Sequence, residues 1–530
     1  MAFVQKSSDQ ISAQEPADAP PAASSASAFA DPTAFWALVA AATLLFSLGL
    51  GGIDLWAPDE PRYGAIAEEL RSGRHGPEGL VLLHLNDEPY TQKPPLYFWL
   101  AALAGSLPGR VSEIPARLPS ALAGVLCVAL TARVARRLGH SPRAALLAAA
   151  FLATSFRFVF TARRAQLDVL LTAFELIAIA LFVAVEFRGL RGMSTAQAIT
   201  PATAPAPSTG PSKAPSKAQV AGIHAALGAA ALVKGPVGWL PLLIIAAYLA
   251  WQGRIRSFRH YAPAWSYLLS FGPLLLWISV AVALAPPGFA EVAVGENVFG
   301  RFFSGTSHVR PFYYFLYQLP VDALPWSLLL PWGLAHLWGE AREKTNSSAR
   351  FLICWIAVPF LFFTLSAGKR GVYLLPVFPA LAVVCVLALR PRSGSGESAE
   401  VWLRRGAFAV GAVALIELAG FTLGQRMLDP EKSPRPIAIA TAAASRPGER
   451  VGVYGLRPIE GGLSYYGGVR IESLRDQPNL EKFLAGSGRL VLMRARHFEA
   501  LSNDWDLRKV GSFRTGRRQL ILAERVSQTP

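Results

Sequence analysis

Apolar residues along this chain come in runs of about 15–23, separated by short stretches that hold much of the charge. Runs of this length match the roughly 20 residues that a helix needs to cross the hydrocarbon of a bilayer. They fall near 33–53, 114–136, 143–160, 167–187, 220–233, 236–251, 264–285, 323–339, 351–366, 371–389 and 406–424. The pattern predicts an α-helical polytopic membrane protein with about 11 spanning helices. A further apolar stretch at 94–107 is short, and suits an interfacial or re-entrant helix better than a crossing.

The basic residues of the loops fix the register. Arg133/Arg136/Arg137/Arg143, Arg188/Arg191, Arg254/Arg256/Arg259, Arg342/Lys344 and Arg390/Arg392/Arg404/Arg405 all fall on one side when the spans are counted as above. That side is cytoplasmic by the positive-inside rule, and the N-terminus lies there too. Counting 94–107 as a crossing would move every one of these loops outside. The same logic splits 220–251 into two spans at Lys234-Gly235-Pro236, because the basic loops on both flanks must lie inside.

Residues 1–32, rich in Ala, Ser, Pro and Asp, read as a disordered tail, and 192–219, with its Pro-Ser-Lys repeats, as a low-complexity cytoplasmic linker. A cleaved leader is not expected, since the first apolar run begins only near Phe35. Residues 430–530 are less apolar, with strand-like patterns at Val451–Gly455, Arg489–Arg494 and Gln519–Glu524, and predict a small α/β lobe outside the membrane.

Composition agrees: 52% of the residues are hydrophobic and only 16% are charged, too apolar for an ordinary soluble enzyme. The net charge of +16 would fit a nucleic-acid partner, but its concentration in short loops makes topology the better explanation, and no nucleic acid is expected. Cys127, Cys354 and Cys385 lie far apart inside apolar runs and imply neither a disulfide framework nor a thiolate metal site.

This topology gathers ionisable groups of both signs on the outer face. The first external loop holds Asp59-Glu60-Pro61-Arg62-Tyr63 and then Gln92-Lys93-Pro94-Pro95-Leu96-Tyr97. Asp168 with Arg163 and Arg164, Lys234, the 296–310 loop with Asn297, Arg301 and His308, and finally Lys369-Arg370 followed by Tyr373 join them. Charges at a membrane boundary are costly unless paired or used, so the cluster is a candidate site. The chemistry it fits is sugar transfer from a lipid phosphate, in which Lys or Arg takes up charge on a leaving phosphate and a carboxylate orients or deprotonates an acceptor hydroxyl. There is no Walker-type loop and no dinucleotide fingerprint. Plain structural roles fit several of the same residues. Asp59-Glu60 suits a helix start, Lys93 a snorkelling anchor, Asp168 an N-cap, Lys234 and Lys369 interfacial anchors, and His308 a solvated loop.

Asp-Glu-x-Arg-Tyr after the first span and Lys-Pro-Pro-Leu-Tyr-x-Trp some 30 residues later resemble the lipid A aminoarabinose transferase family, which belongs with the protein O-mannosyltransferases among GT-C membrane glycosyltransferases. Arg117-Leu118-Pro119-Ser120-Ala121, Lys234-Gly235-Pro236, Pro325-Trp326 and Leu365-Ser366-x-Gly368-Lys369 extend the resemblance in order over about 33–390. It implies a transmembrane glycosyltransferase domain over 33–425 in a bacterial inner membrane, with its site facing the periplasm. The implied reaction is inverting transfer from an undecaprenyl-phosphate sugar to lipid A or another envelope acceptor, with protein O-glycosylation as an alternative and a flippase for lipid-linked sugars as the alternative of another class. By the same resemblance Asp59 is the catalytic or acceptor-orienting carboxylate and Asp168 a second one. Lys93, Arg301 and Arg62 contact the donor phosphate, and Glu60, Tyr63, Lys234, Lys369 and Tyr373 are further cavity candidates. Family members often carry Glu before the gripping Lys and His before the later Arg, where this chain has Gln92 and Asn297. A divalent metal ion is therefore a possible cofactor with no ligand set assigned.

Overall fold

The structure, a computed structural model, describes residues 32–188, 214–304, 309–343, 346–389, 399–486, 488–516 and 518–526. Most of the expected tail and linker, with His308, falls outside these residues. Pro32 already belongs to helix α1 (Pro32–Ser47), and Lys217 opens α8 (Lys217–Lys234). Both expected boundaries therefore overran into helices. For α8 the start is set by a capping box, in which Ser216 and Gln219 satisfy each other's backbone N–H groups.

Among the described residues, six helical stretches are long and apolar enough to cross a membrane, or seven when the bent pair α5 (Pro142–Ala153) and α6 (Phe156–Ala162) counts as one. They include α4 (Glu113–Arg137) and α7 (Leu167–Glu186), and one continuous stretch, 217–251, contains both α8 and α9 (Leu240–Trp251). That stretch is a hairpin. Along a straight helix, Gly238 would stand roughly 12 Å from Ala230. Instead a Cβ on Gly238 would lie 2.5 Å from the Ala230 carbonyl carbon and the Ala231 nitrogen. The chain reverses at Gly235, whose φ of 76° closes α8 and which Pro236 follows, so 217–251 makes the two passes expected from its charges.

After the turn α10 (Phe258–Tyr261) come α11 (Tyr267–Leu284), α12 (Tyr314–Asp322), α13 (Leu330–Arg342), α14 (Ser347–Leu365), α15 (Phe378–Leu387) and α16 (Ala399–Ala419). Several of these, with α1, are shorter than a full crossing, so fewer of the described helices reach spanning length than the sequence pattern predicts. Small residues let the helices approach closely. Gly228 packs on the Leu269 carbonyl between α8 and α11, and Gly333 on that of Val384 between α13 and α15.

In the first external loop, α2 (Asp59–Arg71) precedes a two-strand hairpin, β1 (His84–Leu85) with β2 (Glu88–Pro89), and then α3 (Leu96–Ser106). With 11 residues α3 spans only about 16 Å, too short to cross, as expected for 94–107. One expectation differs. The external loop near 296–301 is helical, in wide π-type turns over Glu291–Ser304, where Phe289 and Ala293 find an apolar contact with Leu82 and Ala281.

Beyond α17 (Gln425–Lys432) and α18 (Arg435–Ala444) the chain forms the α/β lobe. Its strands are β3 (Arg450–Tyr454), β4 (Arg470–Leu474), β5 (Leu490–Arg494), β6 (Leu507–Thr515) and β7 (Arg518–Arg525), interleaved with α19 (Arg457–Gly467), α20 (Gln477–Ala485) and α21 (Ala495–Leu501). The sheet order is β4-β3-β5-β7-β6, parallel among the first three and antiparallel beyond. Helix α19 lies against α2, which is thereby held between the lobe and the helical bundle.

Candidate functional site

Asp59 and Glu60 open α2, where acidic side chains suit the positive end of the helix dipole. Neither makes a side-chain cap, so a plain helix-start role does not account for them. Consecutive helical residues point about 100° apart, and the two carboxylates go to different places.

Asp59 is buried and sits between two guanidinium groups, Arg62 one turn along α2 and Arg370 at 3.1 Å. Burial raises its pKa, but Arg62, Arg370 and Lys93 together outweigh burial and hold the carboxyl below its usual range. Asp59 and Lys93, distant in sequence, are thus electrostatic neighbours. Tyr63 is buried beneath this turn against Tyr97 and Phe98.

Glu60 is 2% exposed and saturated. Arg117 reaches both its oxygens at 2.8 and 3.1 Å, Arg164 lies at 2.7 Å, and the backbone N–H groups of Ala165 and Trp56 donate at 2.8 and 3.0 Å. Against the penalty of burial, the two arginines pull its pKa down to about 2. Arg117, 1% exposed, also donates to the carbonyls of Leu50, Ile53 and Asp54. Glu60 therefore ties α2 to α4 and to the turn before α7, and is not a cavity group as the sequence suggested.

Asp168, in the first turn of α7, is paired with Lys234, the last residue of α8. The Lys234 ammonium also lies 4.5 Å from the centre of the Tyr373 ring. Arg370 feels both Asp59 and Asp168, which joins the two ion pairs into one cluster. Glu175, two turns further along α7, is buried within range of Lys234.

A cavity of about 500 Å³ opens beside this cluster. Lys93, Lys234 and Tyr373 stand at its polar end, while Trp239, Leu274, Leu275, Ile278, Phe362 and Phe363 make apolar walls. Lys369 is turned elsewhere, buried and donating to the carbonyls of Ser366 and Arg310. Its neighbour Arg370, placed with it on the outer face by the sequence but given no role there, is the residue that reaches Asp59. Arg370 is in extended backbone, where consecutive side chains face opposite ways, and nothing in the sequence says which of the two points inward. The side chain of Arg301 lies outside the described residues.

Gln92 and Asn297 also line the cavity, and the Asn297 amide donates to the carbonyls of Thr91 and Val292. Carboxamides are weak metal ligands beside carboxylate or imidazole, so these residues do not fit a tightly held divalent ion. Asp59 and Glu60, both occupied by arginines, do not make up the difference. Among the described residues, the group of three with metal-ligand spacing is Glu69, His75 and Asp87, at the β1–β2 hairpin. There Glu69 accepts the Asn86 N–H at 2.6 Å and Asp87 faces Arg74 and Arg470, which reads as a structural knot.

Residues 34–291 match the family described as dolichyl-phosphate-mannose-protein mannosyltransferase. Two undecaprenyl phosphate-α-4-amino-4-deoxy-L-arabinose arabinosyl transferases of Pseudomonas fluorescens are 30% and 31% identical over 375 and 381 residues, or 67% and 68% of this chain. The chain spans 57% and 61% of their lengths. The crystal structure of ArnT from Cupriavidus metallidurans bound to undecaprenyl phosphate superposes with a TM-score of 0.72 at 21% identity, over 94% of this chain and 100% of that one. The chain is similar in sequence to these aminoarabinosyl transferases over about two thirds of its length and shares the fold of ArnT. An archaeal oligosaccharyltransferase from Archaeoglobus fulgidus shares the fold more distantly, with a TM-score of 0.53 at 14% identity over 87% of this chain and 69% of the other. The chain shares the fold of that membrane protein, and its own spanning-length apolar helices among the described residues make it a multi-pass membrane protein, as the apolar pattern predicted.

Proposed function

We propose that this protein is an inner-membrane glycosyltransferase that moves a sugar from an undecaprenyl-type phosphate to lipid A or another envelope acceptor, at the periplasmic face. The observation that carries this reading is the pairing of an apolar cavity with a polar end made by Lys93, Lys234 and Tyr373, beside the carboxylate of Asp59. An apolar groove suits a prenyl tail, and ammonium groups at its end suit the phosphate. Four cations (Arg62, Lys93, Lys234 and Arg370) surround two carboxylates (Asp59 and Asp168), so the cluster favours an anionic ligand.

In this reading the bond between the sugar's anomeric carbon and the phosphate oxygen breaks, and its electron pair leaves with the phosphate. Lys93 and Lys234 stabilise that charge, and the acceptor oxygen attacks from the opposite face. Asp59, held ionised by two arginines, is a weak base. Its part is to orient the acceptor and to balance positive charge developing on the sugar. The mannosyltransferase match over 34–291 supports a second acceptor class, a protein hydroxyl, on the same donor chemistry.

The test is transfer by purified protein in liposomes, supplied with undecaprenyl-phosphate sugars one at a time and with either lipid A or an acceptor protein. Transfer by the wild type, and its loss in Asp59→Asn and Lys93→Ala, is expected. Normal product from both variants would remove the assigned site.

A further inference from the structure

We propose that the C-terminal lobe is a positioning element for the Asp59–Arg62 turn, acting through a crossing of α19 on α2 that admits no side chain. This rests on the glycosyltransferase reading above, and it gives the lobe a part in the same site.

The contact is made at Gly461. A Cβ there would lie 2.6 Å from the Cα of Arg62 and 2.7 Å from its nitrogen and its Cβ. Two of these three atoms are backbone, so a side chain at 461 moves α2 itself at the residue that pairs with Asp59. The contact is reciprocal, because a Cβ on Gly64 would lie 2.9 Å from the Tyr465 ring, with the Leu55 side chain at 2.8 Å beside it. Around this crossing the lobe grips the chain on either side of Asp59. The Tyr466 hydroxyl accepts the Leu55 N–H at 2.6 Å, four residues before Asp59, and donates to Glu113 at 3.0 Å. Tyr465 donates to the Val111 carbonyl at 2.6 Å. The Asn86 side chain donates to the Ile471 carbonyl and accepts its N–H, at 2.7 and 3.1 Å, closing the exposed edge of β4. A lobe that merely docked would need the hydrogen bonds. It would not need glycine against the backbone of Arg62.

A neighbouring glycine supplies the control. A Cβ on Gly462 would meet Pro434, 2.5 Å away and on the lobe side, so Gly462→Ala disturbs the lobe's own packing with the same added atom. Gly461→Ala is expected to lower kcat roughly 10- to 100-fold, the size of effect that follows when a reacting group is misplaced by about 1 Å. KM for the undecaprenyl-phosphate donor, held mainly by Lys93 and Lys234 on other elements, rises by a smaller factor than kcat falls. The acid limb of the pH–rate profile moves to higher pH, because Asp59 loses part of the charge of Arg62. Gly462→Ala leaves that limb in place. The inference is overturned if Gly461→Ala turns over normally, or if both alanine variants lose activity equally with the acid limb unmoved. A wild type that transfers no sugar would instead sink the glycosyltransferase reading, which keeps the two failures apart.

Discussion

Two clusters of acids and arginines lie one residue apart in the chain and do opposite work. Around Glu60 every lone pair is taken, the carboxylate is 2% exposed, and Arg117 and Arg164 are buried alongside it. Around Asp59 the arginines are partly open, at 23% and 36% side-chain exposure, cations outnumber carboxylates, and a cavity adjoins. Saturation marks the first as structure, since a buried carboxylate with full hydrogen bonding has nothing left to offer a substrate. Surplus charge beside an open space marks the second as a binding site.

The largest expected effect breaks the structural cluster. Arg117→Met leaves the Glu60 charge buried beside Arg164 alone and strands three backbone carbonyls, and is expected to cost about 3–5 kcal/mol of folding stability. The thermal midpoint in detergent reads it. Next comes Asp59→Asn, which is expected to slow turnover roughly 10²- to 10³-fold while stability changes by no more than about 1 kcal/mol, because water reaches both partner arginines. Lys93→Ala is expected to weaken undecaprenyl phosphate binding about 10- to 100-fold, measured by titration in nanodiscs.

Acid sharpens the comparison. The folded pKa of Glu60, about 2, lies below the ordinary 4.5. Its stabilising contribution is therefore complete above pH 4.5 and is lost as the pH falls through that window towards 2. The wild type is expected to lose thermal midpoint on acidification through that range, and Glu60→Gln to lack that component of the loss. The smallest effect belongs to Arg435→Ala. Its pair with Asp54 is more than half exposed on the arginine side, and the change is expected to stay within about 1 kcal/mol by the same melting assay.

The sequence carried the helical passes well, because span length and loop charge are one-dimensional signals. The reversal at Lys234-Gly235-Pro236 and the short α3 were legible in that way. Two strands were not. Only β4 and β6 lie at the sheet's edges, and β6 is exposed along most of its length, so neither carries the apolar run of a buried strand. In the site, Asp59, Asp168, Lys93, Lys234 and Tyr373, which loop charge alone puts on one face, lie in one cluster. Glu60 could not be told from Asp59, because what separates them is a turn of about 100° and partners 57 and 104 residues away. Arg370 was hidden behind Lys369 for a similar reason, since the facing of an extended segment is set by what packs around it.

The most direct test is a paired measurement on Asp59→Asn and Glu60→Gln, taking sugar transfer and thermal midpoint on the same preparations. The expected result is an Asp59→Asn protein that melts like the wild type and transfers almost nothing, beside a Glu60→Gln protein that melts early. An Asp59→Asn protein that transfers sugar at the wild-type rate would contradict the account.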